Sequence, residues 1–189
     1  MKNYKDAEAE HIAGMDRARA ARVKRVVTTD KDGLANPTSR VKYDNKNAKR
    51  FRRVTPKVMG QIDASVSAGG LTAKIFSGGQ KSKSEGTGTH RHNHGNAADI
   101  SLFHRGTALV PTNPKHQKHI AKFIEDAVSN GATGIGVGKG YMTSTNGIHV
   151  GYNPKDFSGV WGKDGDKDNA PLWAKEAYRR GKARAAKRK

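Results

Sequence analysis

Residues 89–104 of the chain read THRHNHGNAADISLFH. The stretch holds four of the eight histidines and one aspartate, Asp99, which an apolar run follows. The segment AADISLF has the composition of a strand, in which successive side chains point to opposite faces. Asp99 is therefore predicted on the same face as Ala97 and opposite Ile100. A carboxylate within an apolar strand is costly unless a cation or a partner compensates it, so Asp99 indicates a binding site.

The residue types around Asp99 are those of a zinc site. A catalytic zinc ion takes three protein ligands and leaves a fourth position open, and a chain without cysteine has to supply histidine or carboxylate. His92 lies seven residues before Asp99, and His149 stands alone in the short apolar segment GIHVGY. We expect these three residues to hold a metal ion.

Each of these residues also has a plainer interpretation. The histidines near Asp99 suit an exposed polar loop. Asp99 itself suits a turn cap or an ion pair with Arg91 or Arg105. His149 suits a core position with its ring nitrogens hydrogen-bonded.

The remaining patterns predict an α+β fold. Residues 55–70 and 113–131 each begin with a capping residue followed by proline, and each carries one apolar stripe that ends at glycine. Strands are predicted over residues 71–77, 97–103 and 147–152, and a basic helix near the C-terminus. We therefore expect a small antiparallel sheet with flanking helices and a zinc cleft on the sheet.

The charge of the chain predicts three parts. Residues 1–57 carry 16 Lys and Arg against 7 Asp and Glu, residues 174–189 carry 8 against 1, and the middle carries 12 against 9. We expect a basic N-terminal arm (1–54), a domain (55–170) and a basic C-terminal helix or tail (171–189). The arm is predicted to be helical over residues 5–27 and an extended linker afterwards. Basic arms suit a polyanion such as DNA or the bacterial wall, or an acidic protein surface.

Composition also excludes some classes of protein. Only 34% of the residues are hydrophobic, and no apolar run is long enough to span a membrane. The N-terminus lacks the apolar core of a signal peptide. We expect the protein not to be exported by a signal of its own.

Four segments together resemble one known family. They are SGGQ (77–80), HRHNHGNAADI (90–100), GIGVGKGY (134–141) and GIHVGY (147–152). They are similar to the zinc D-Ala-D-Ala carboxypeptidases and phage endolysin peptidases, part of the lysostaphin/carboxypeptidase/hedgehog fold, whose motif is His-x-x-Gly-x-Ala-x-Asp followed by a distant histidine. The resemblance covers roughly residues 55–160.

The resemblance implies roles for particular residues. His92, Asp99 and His149 become the zinc ligands, and Gln80 takes the position of a residue that steadies the developing oxyanion. The implied reaction is metal-assisted hydrolysis of an amide bond, with zinc activating a water molecule.

The general base of the family has no direct equivalent in this chain. Asn146 stands where the family often places a carboxylate, three residues before the last histidine. Its amide can orient a water molecule or a substrate, so we expect a catalytic role, but it cannot accept the proton. A second branch places a histidine at the position of Gly151. The alternatives for the base are His94, His90, Glu85 and Asp156.

The leading hypothesis is a zinc-dependent peptidase that acts on peptidoglycan peptides. We expect a phage lysin or virion-associated protein, present in the virion or in the host cytoplasm before lysis and acting at the cell wall. The alternative is a non-catalytic virion, wall-binding or DNA-binding protein that keeps the peptidase fold. It is motivated by the missing base and the basic arms.

Overall fold

The computed structural model describes residues 27–82, 84, 90–142, 146–152 and 158–188. Within them, three helices and seven strands follow one another in the order β1-α1-β2-β3-β4-α2-β5-β6-β7-α3. The helices are α1 (Pro56–Ala68), α2 (Pro114–Ser129) and α3 (Leu172–Ala186). The strands are β1 (Val41–Tyr43), β2 (Leu71–Ser77), β3 (Ala97–His104), β4 (Thr107–Ala108), β5 (Gly134–Gly136), β6 (Ile148–Gly151) and β7 (Gly159–Trp161).

The two central helices begin where the sequence predicts. The Thr55 side chain accepts a hydrogen bond from the Val58 N–H at the start of α1, and proline follows the cap. Asn113 caps α2 in the same way, accepting from the Lys115 N–H. Each cap satisfies one backbone donor that the first turn of a helix leaves without a partner. Both predicted helices are confirmed.

The sheet is mixed rather than antiparallel. Its strands lie in the order β1-β2-β3-β6-β5-β7, with β4 paired to β3. The β1–β2 and β5–β7 pairs are parallel and the others are antiparallel. Parallel neighbours need a crossover connection, and α1 supplies it between β1 and β2. The α+β class is confirmed, and the expected all-antiparallel arrangement is wrong.

The sheet has one apolar face, on which α1 and α2 pack. Ile75, Ile100 and Ile148 on the strands form one core with Ile62 of α1 and Phe123 of α2, all almost fully buried. The burial of this apolar surface is the main favourable contribution to folding. Polar residues of the strands therefore project from the opposite face.

The C-terminal helix packs on α2 through a close contact between backbones. A Cβ atom at Gly181 of α3 would lie 2.7 Å from the Glu125 carbonyl oxygen and 2.7 Å from Cβ of Val128. Arg184 of α3 forms ion pairs with Glu125 and Asp126 of α2. The predicted basic helix is confirmed, and one side of it belongs to the folded unit.

The extended linker predicted for residues 28–53 is wrong. Val41 enters the core from β1, and Ala35 and Val54 are also completely buried. Tyr43 Oη donates to the Ala35 carbonyl oxygen at 3.2 Å and accepts from the Val54 N–H at 3.1 Å. A strand of three residues with one core side chain is too short to produce a visible hydrophobic period.

The helix predicted over residues 5–27 falls, apart from Val27, outside the described residues. In the part of the chain that is described, no helix is both long and apolar enough to cross a membrane.

We predict that Tyr43→Phe lowers the free energy of unfolding by about 1–2 kcal/mol, because a largely buried carbonyl and a buried N–H each lose a partner. Urea denaturation followed by circular dichroism measures this change. Lys42→Ala, on the exposed side of the same strand, is the control and should stay within about 0.5 kcal/mol of the parent. Equal loss in the two variants would contradict an anchoring role for Tyr43.

Alkaline pH should reduce the difference in the free energy of unfolding between the parent and Tyr43→Phe. Burial raises the pKa of Tyr43 to about 12 from its usual value of 10.0. Between these values the unfolded chain releases the proton that the folded protein keeps, so the free energy of unfolding falls as pH rises. Denaturation at about pH 9 and about pH 11 should show the parent and Tyr43→Phe converging. A constant difference would mean that Tyr43 ionises alike in both states.

Candidate metal centre

Five residues on five neighbouring strands form a cross-strand row. Ser77 on β2 lies opposite Asp99 on β3, which lies opposite His149 on β6. His149 lies opposite Gly136 on β5, which in turn lies opposite Trp161 on β7. Directly opposed residues project from the same face of a sheet. The row therefore gathers polar side chains on the face opposite α1 and α2.

A β-bulge places Ser77 in this row. Ile75 pairs with Ile100 and Ser77 pairs with Asp99, so β2 has one more residue here than β3. In a regular strand Ser77 would share the core-facing side of Ile75, because side chains alternate along a strand. The bulge turns Ser77 towards the site.

His92, Asp99 and His149 come together as the sequence predicts. Their relative exposures are 1%, 1% and 2%. His92 Nε2 lies 3.4 Å from Asp99 Oδ1, and His149 Nδ1 lies 2.8 Å from the same oxygen. One potential ligand atom from each residue lies within 4.8 Å of the others. Among the described residues this is the one group of three or more such side chains that could hold a metal ion.

The spacing of these atoms fits a small tetrahedral cation. Zinc bonds of about 2.0–2.1 Å imply ligand atoms about 3.3 Å apart. The His92–Asp99 distance has this value already. The His149–Asp99 distance is that of a hydrogen bond and has to lengthen by about 0.5 Å, with loss of the Nδ1 proton, when a metal binds.

The orientation of His92 is fixed by the backbone. Its Nδ1 lies 2.7 Å from the Gly78 carbonyl oxygen. A carbonyl can only accept, so Nδ1 carries a proton, and Nε2 is the nitrogen that faces Asp99. Metal-binding histidines commonly have this second hydrogen bond, which sets both the tautomer and the ring orientation.

The charge states of the site suit a metal. Burial opposes ionisation of Asp99, but hydrogen bonds with His149 and His92 outweigh it and hold its pKa well below the usual range. Burial lowers the pKa of His149 to about 4, although the neighbouring Asp99 favours its charged form. Near neutral pH the centre therefore contains a carboxylate and a neutral imidazole, the forms that bind metal.

Arg50 is the charge partner of Asp99. Its Nη2 donates to Asp99 Oδ2 at 2.9 Å, and its Nε donates to Ser77 Oγ at 2.8 Å. Asp99 Oδ1 faces the two histidines while Oδ2 faces Arg50. The partners considered from the sequence, Arg91 and Arg105, do not hold this position. The sequence gives no local signal for Arg50, which lies 49 residues away in the stretch interpreted as a linker.

Glycines allow the histidine loop (residues 90–96) to pack against two other backbone segments. Gly95 has φ +75°, and a Cβ atom there would lie 3.0 Å from the Thr55 N and 3.1 Å from the Arg53 carbonyl oxygen. A Cβ atom at Gly79 would lie 2.8 Å from Cα of Gly95. Side chains at these positions would force the segments apart and move His92.

Two of the predicted catalytic residues lie within or beside this loop. Gln80 is 3% exposed and donates from Nε2 to Asn93 Oδ1 at 2.8 Å. Its carbonyl accepts from the backbone N–H of His94. The His94 side chain is exposed, with a left-handed φ of 57°. Gln80 therefore holds the loop in place, and His94 points to solvent rather than joining the three-residue group.

The third predicted catalytic residue, Asn146, is half-buried in the turn before β6 and has φ 49°. The other candidate bases from the sequence, Glu85 and Asp156, lie outside the described residues. His90 is exposed. The identity of the base thus stays a prediction.

The other described histidines lie away from the centre. The rings of His104 and His119 stack with centroids 4.3 Å apart. His116 Nδ1 accepts from the Val110 N–H at 3.0 Å, joining α2 to the loop before it. Their contacts are structural.

Aromatic side chains form one wall of the centre. The Trp161 ring lies 5.1 Å from the His149 ring, centroid to centroid, and Tyr141 meets Trp161 edge-on at 6.5 Å. The Arg91 guanidinium lies 4.4 Å from the Trp161 ring centroid, within the range of a cation–π contact. Tyr141 is a functional candidate that the sequence did not single out.

We predict that the purified protein binds one zinc ion per chain. His92→Ala and Asp99→Ala should each abolish this stoichiometric binding, because only two protein ligands would remain. Metal analysis after dialysis against zinc and removal of excess metal measures the content. His104→Ala, which removes a histidine outside the centre, is the control and should keep its zinc.

Arg50→Met should weaken zinc binding by about 10–100-fold without abolishing it, the usual effect of losing a group that orients a ligand. Arg179→Met, an exposed arginine of α3, should not change the affinity. A folded parent protein that takes up no zinc would overturn the metal centre.

No family model, curated protein or solved structure matches this chain. The buried group of His92, Asp99 and His149, together with the contacts that orient it, indicates a metal centre.

Proposed function

We propose that the protein is a zinc-dependent peptidase that hydrolyses an amide bond in the peptides of bacterial peptidoglycan. The observation that carries the proposal is the buried group His92, Asp99 and His149, in which two histidine nitrogens face one carboxylate oxygen. Three nitrogen or oxygen ligands of this kind suit a catalytic zinc ion with one position open. Their spacing along the chain resembles that of the D-Ala-D-Ala carboxypeptidase and endolysin peptidases.

The residues of the chain would prepare the site in defined ways. The Gly78 carbonyl fixes His92, and Arg50 holds Asp99 by the oxygen that faces away from the histidines. A bound zinc ion would supply an activated water molecule near neutral pH and polarise the scissile carbonyl. A base then has to accept a proton from the water and return it to the leaving amine. The candidates are His94, His90, Glu85 and Asp156.

The charge of the protein supports the proposed substrate class, in addition to the resemblance. Bacterial walls carry anionic polymers, and α3 and the two residues after it present exposed basic side chains. These are Lys175, Arg179, Lys182, Lys187 and Arg188. A basic surface raises the local concentration of a polyanionic substrate. We further propose that the protein is a phage lysin or a virion-associated protein. It would be present in the virion, or in the host cytoplasm before lysis, and would act at the bacterial cell wall.

A second candidate function is binding without turnover. Asn146 occupies the position where the resembling family often has its base, and an amide cannot take a proton. A protein that keeps the fold and the zinc in this way would attach to the wall, to DNA or to other virion proteins. Its basic surfaces would supply the contacts.

Release of free amines from purified peptidoglycan distinguishes the two functions. We predict steady release by the zinc-loaded protein, loss with a chelator, recovery on adding zinc, and a fall to background in His149→Ala. The matched control is His116→Ala, which should keep its activity because His116 lies outside the centre. Sedimentation with peptidoglycan but no release of amines would support the binding function and contradict the peptidase.

A further inference from the structure

Gly136 is the one member of the cross-strand row without a side chain, and two polar atoms fill the space above it. A Cβ atom at Gly136 would lie 2.5 Å from Tyr141 Oη and 2.6 Å from Trp161 Nε1. Real Cβ atoms do not approach other atoms so closely. The glycine therefore leaves room for a phenol hydroxyl on the face that carries the metal centre.

The register of the strands sets the position of this hydroxyl. Gly136 lies directly opposite His149, and neighbouring strands are about 4.8 Å apart. Asp99 lies opposite His149 on the other side. Tyr141 Oη thus lies beside His149, one strand beyond the proposed metal ligands and on the same face of the sheet.

The hydroxyl is in its protonated form near neutral pH. Burial raises the pKa of Tyr141 to about 12, and the Asp99 carboxylate adds to the rise against the opposing effects of Trp161, Arg91 and Arg50. A phenol can donate one hydrogen bond and accept others, whereas an indole N–H can only donate. Because Trp161 Nε1 can only donate towards Tyr141 Oη, the phenol proton has to be directed to a different acceptor.

Gln80, the residue expected to steady the oxyanion, is engaged elsewhere. Its Nε2 donates to Asn93 and its backbone pairs with residues of the histidine loop. Tyr141 brings a neutral donor to the row itself.

We propose that Tyr141 is a catalytic residue that donates a hydrogen bond from Oη to the carbonyl oxygen of the peptide bond under attack. Negative charge develops on this oxygen as water adds to the carbonyl carbon, and a positioned donor stabilises that charge in the transition state. This inference rests on the proposed peptidase function. It assigns the oxyanion contact to Tyr141, the last residue of the segment GIGVGKGY, rather than to Gln80.

The first test is kinetic. Tyr141→Phe should reduce kcat for amine release by about 10²–10³-fold, as expected for loss of one oxyanion donor. KM should change by less than about threefold, since the contact strengthens in the transition state. Tyr152→Phe is the matched control. Tyr152 is buried and directly follows β6. Because it lies three residues after His149, the alternation of side chains along the strand places it on the opposite face. Its kcat should match that of the parent.

The second test needs no turnover. A phosphinate analogue of D-alanyl-D-alanine carries a tetrahedral anionic centre like that of the transition state. Calorimetric titration of the zinc-loaded proteins should show affinity at least about tenfold weaker in Tyr141→Phe than in the parent, with equal zinc content. Equal affinities, including no detectable binding by either protein, would overturn the inference.

Gly136→Ala tests the geometry while keeping the phenol. The added methyl group would displace the hydroxyl, so this variant should stay folded, bind zinc and lose kcat as Tyr141→Phe does. Unchanged kcat in Tyr141→Phe, with an active parent, would overturn the role of Tyr141 and leave the peptidase standing. An inactive parent would overturn the peptidase, and the phosphinate affinities alone would then decide the role of Tyr141.

Discussion

The Asp99 carboxylate lies in a sheet from which water is excluded, and moving an ionised carboxylate out of water costs several kcal/mol unless partners replace the lost hydration. His92, His149 and Arg50 provide that replacement from three separate parts of the chain. The two oxygens of the carboxylate have different partners: Oδ1 faces the two histidines and Oδ2 faces the guanidinium of Arg50. A cation held at the first oxygen would therefore find the carboxylate already oriented.

The backbone determines where each partner stands. The bulge in β2 turns Ser77 towards Arg50, and the pairing of β3 with β6 places His149 opposite Asp99. Close contacts at glycines hold the histidine loop against the segment before α1. The same pairing across β5 brings the Tyr141 hydroxyl beside the centre. The site is thus a product of strand register more than of any single loop.

The residues of the candidate metal centre could be predicted from the sequence, because a carboxylate in an apolar strand and a lone histidine in another are anomalies in the local pattern. The starts of α1 and α2 could also be predicted, because Thr55 and Asn113 are capping residues that proline follows. The role of Arg50 was not predictable, since it depends on folding a stretch without hydrophobic period against β2. β1 was missed because three residues are too few for alternation to emerge. Parallel pairing likewise depends on contacts between residues far apart in sequence.

Because the partners of Asp99 come from distant parts of the chain, metal binding at Asp99 depends on how completely the chain has folded. Arg50 and His149 lie 49 and 50 residues away along the chain, one on each side. A partly folded chain that lacks either the segment of Arg50 or β6 cannot offer the same arrangement around Asp99. A metal that binds only the complete arrangement stabilises the folded state by mass action. At metal concentrations well above Kd, the gain in the free energy of unfolding grows with the logarithm of the ratio of the free metal concentration to Kd. The supply of metal would then influence how much of the protein stays folded, as well as how much of it carries a metal ion.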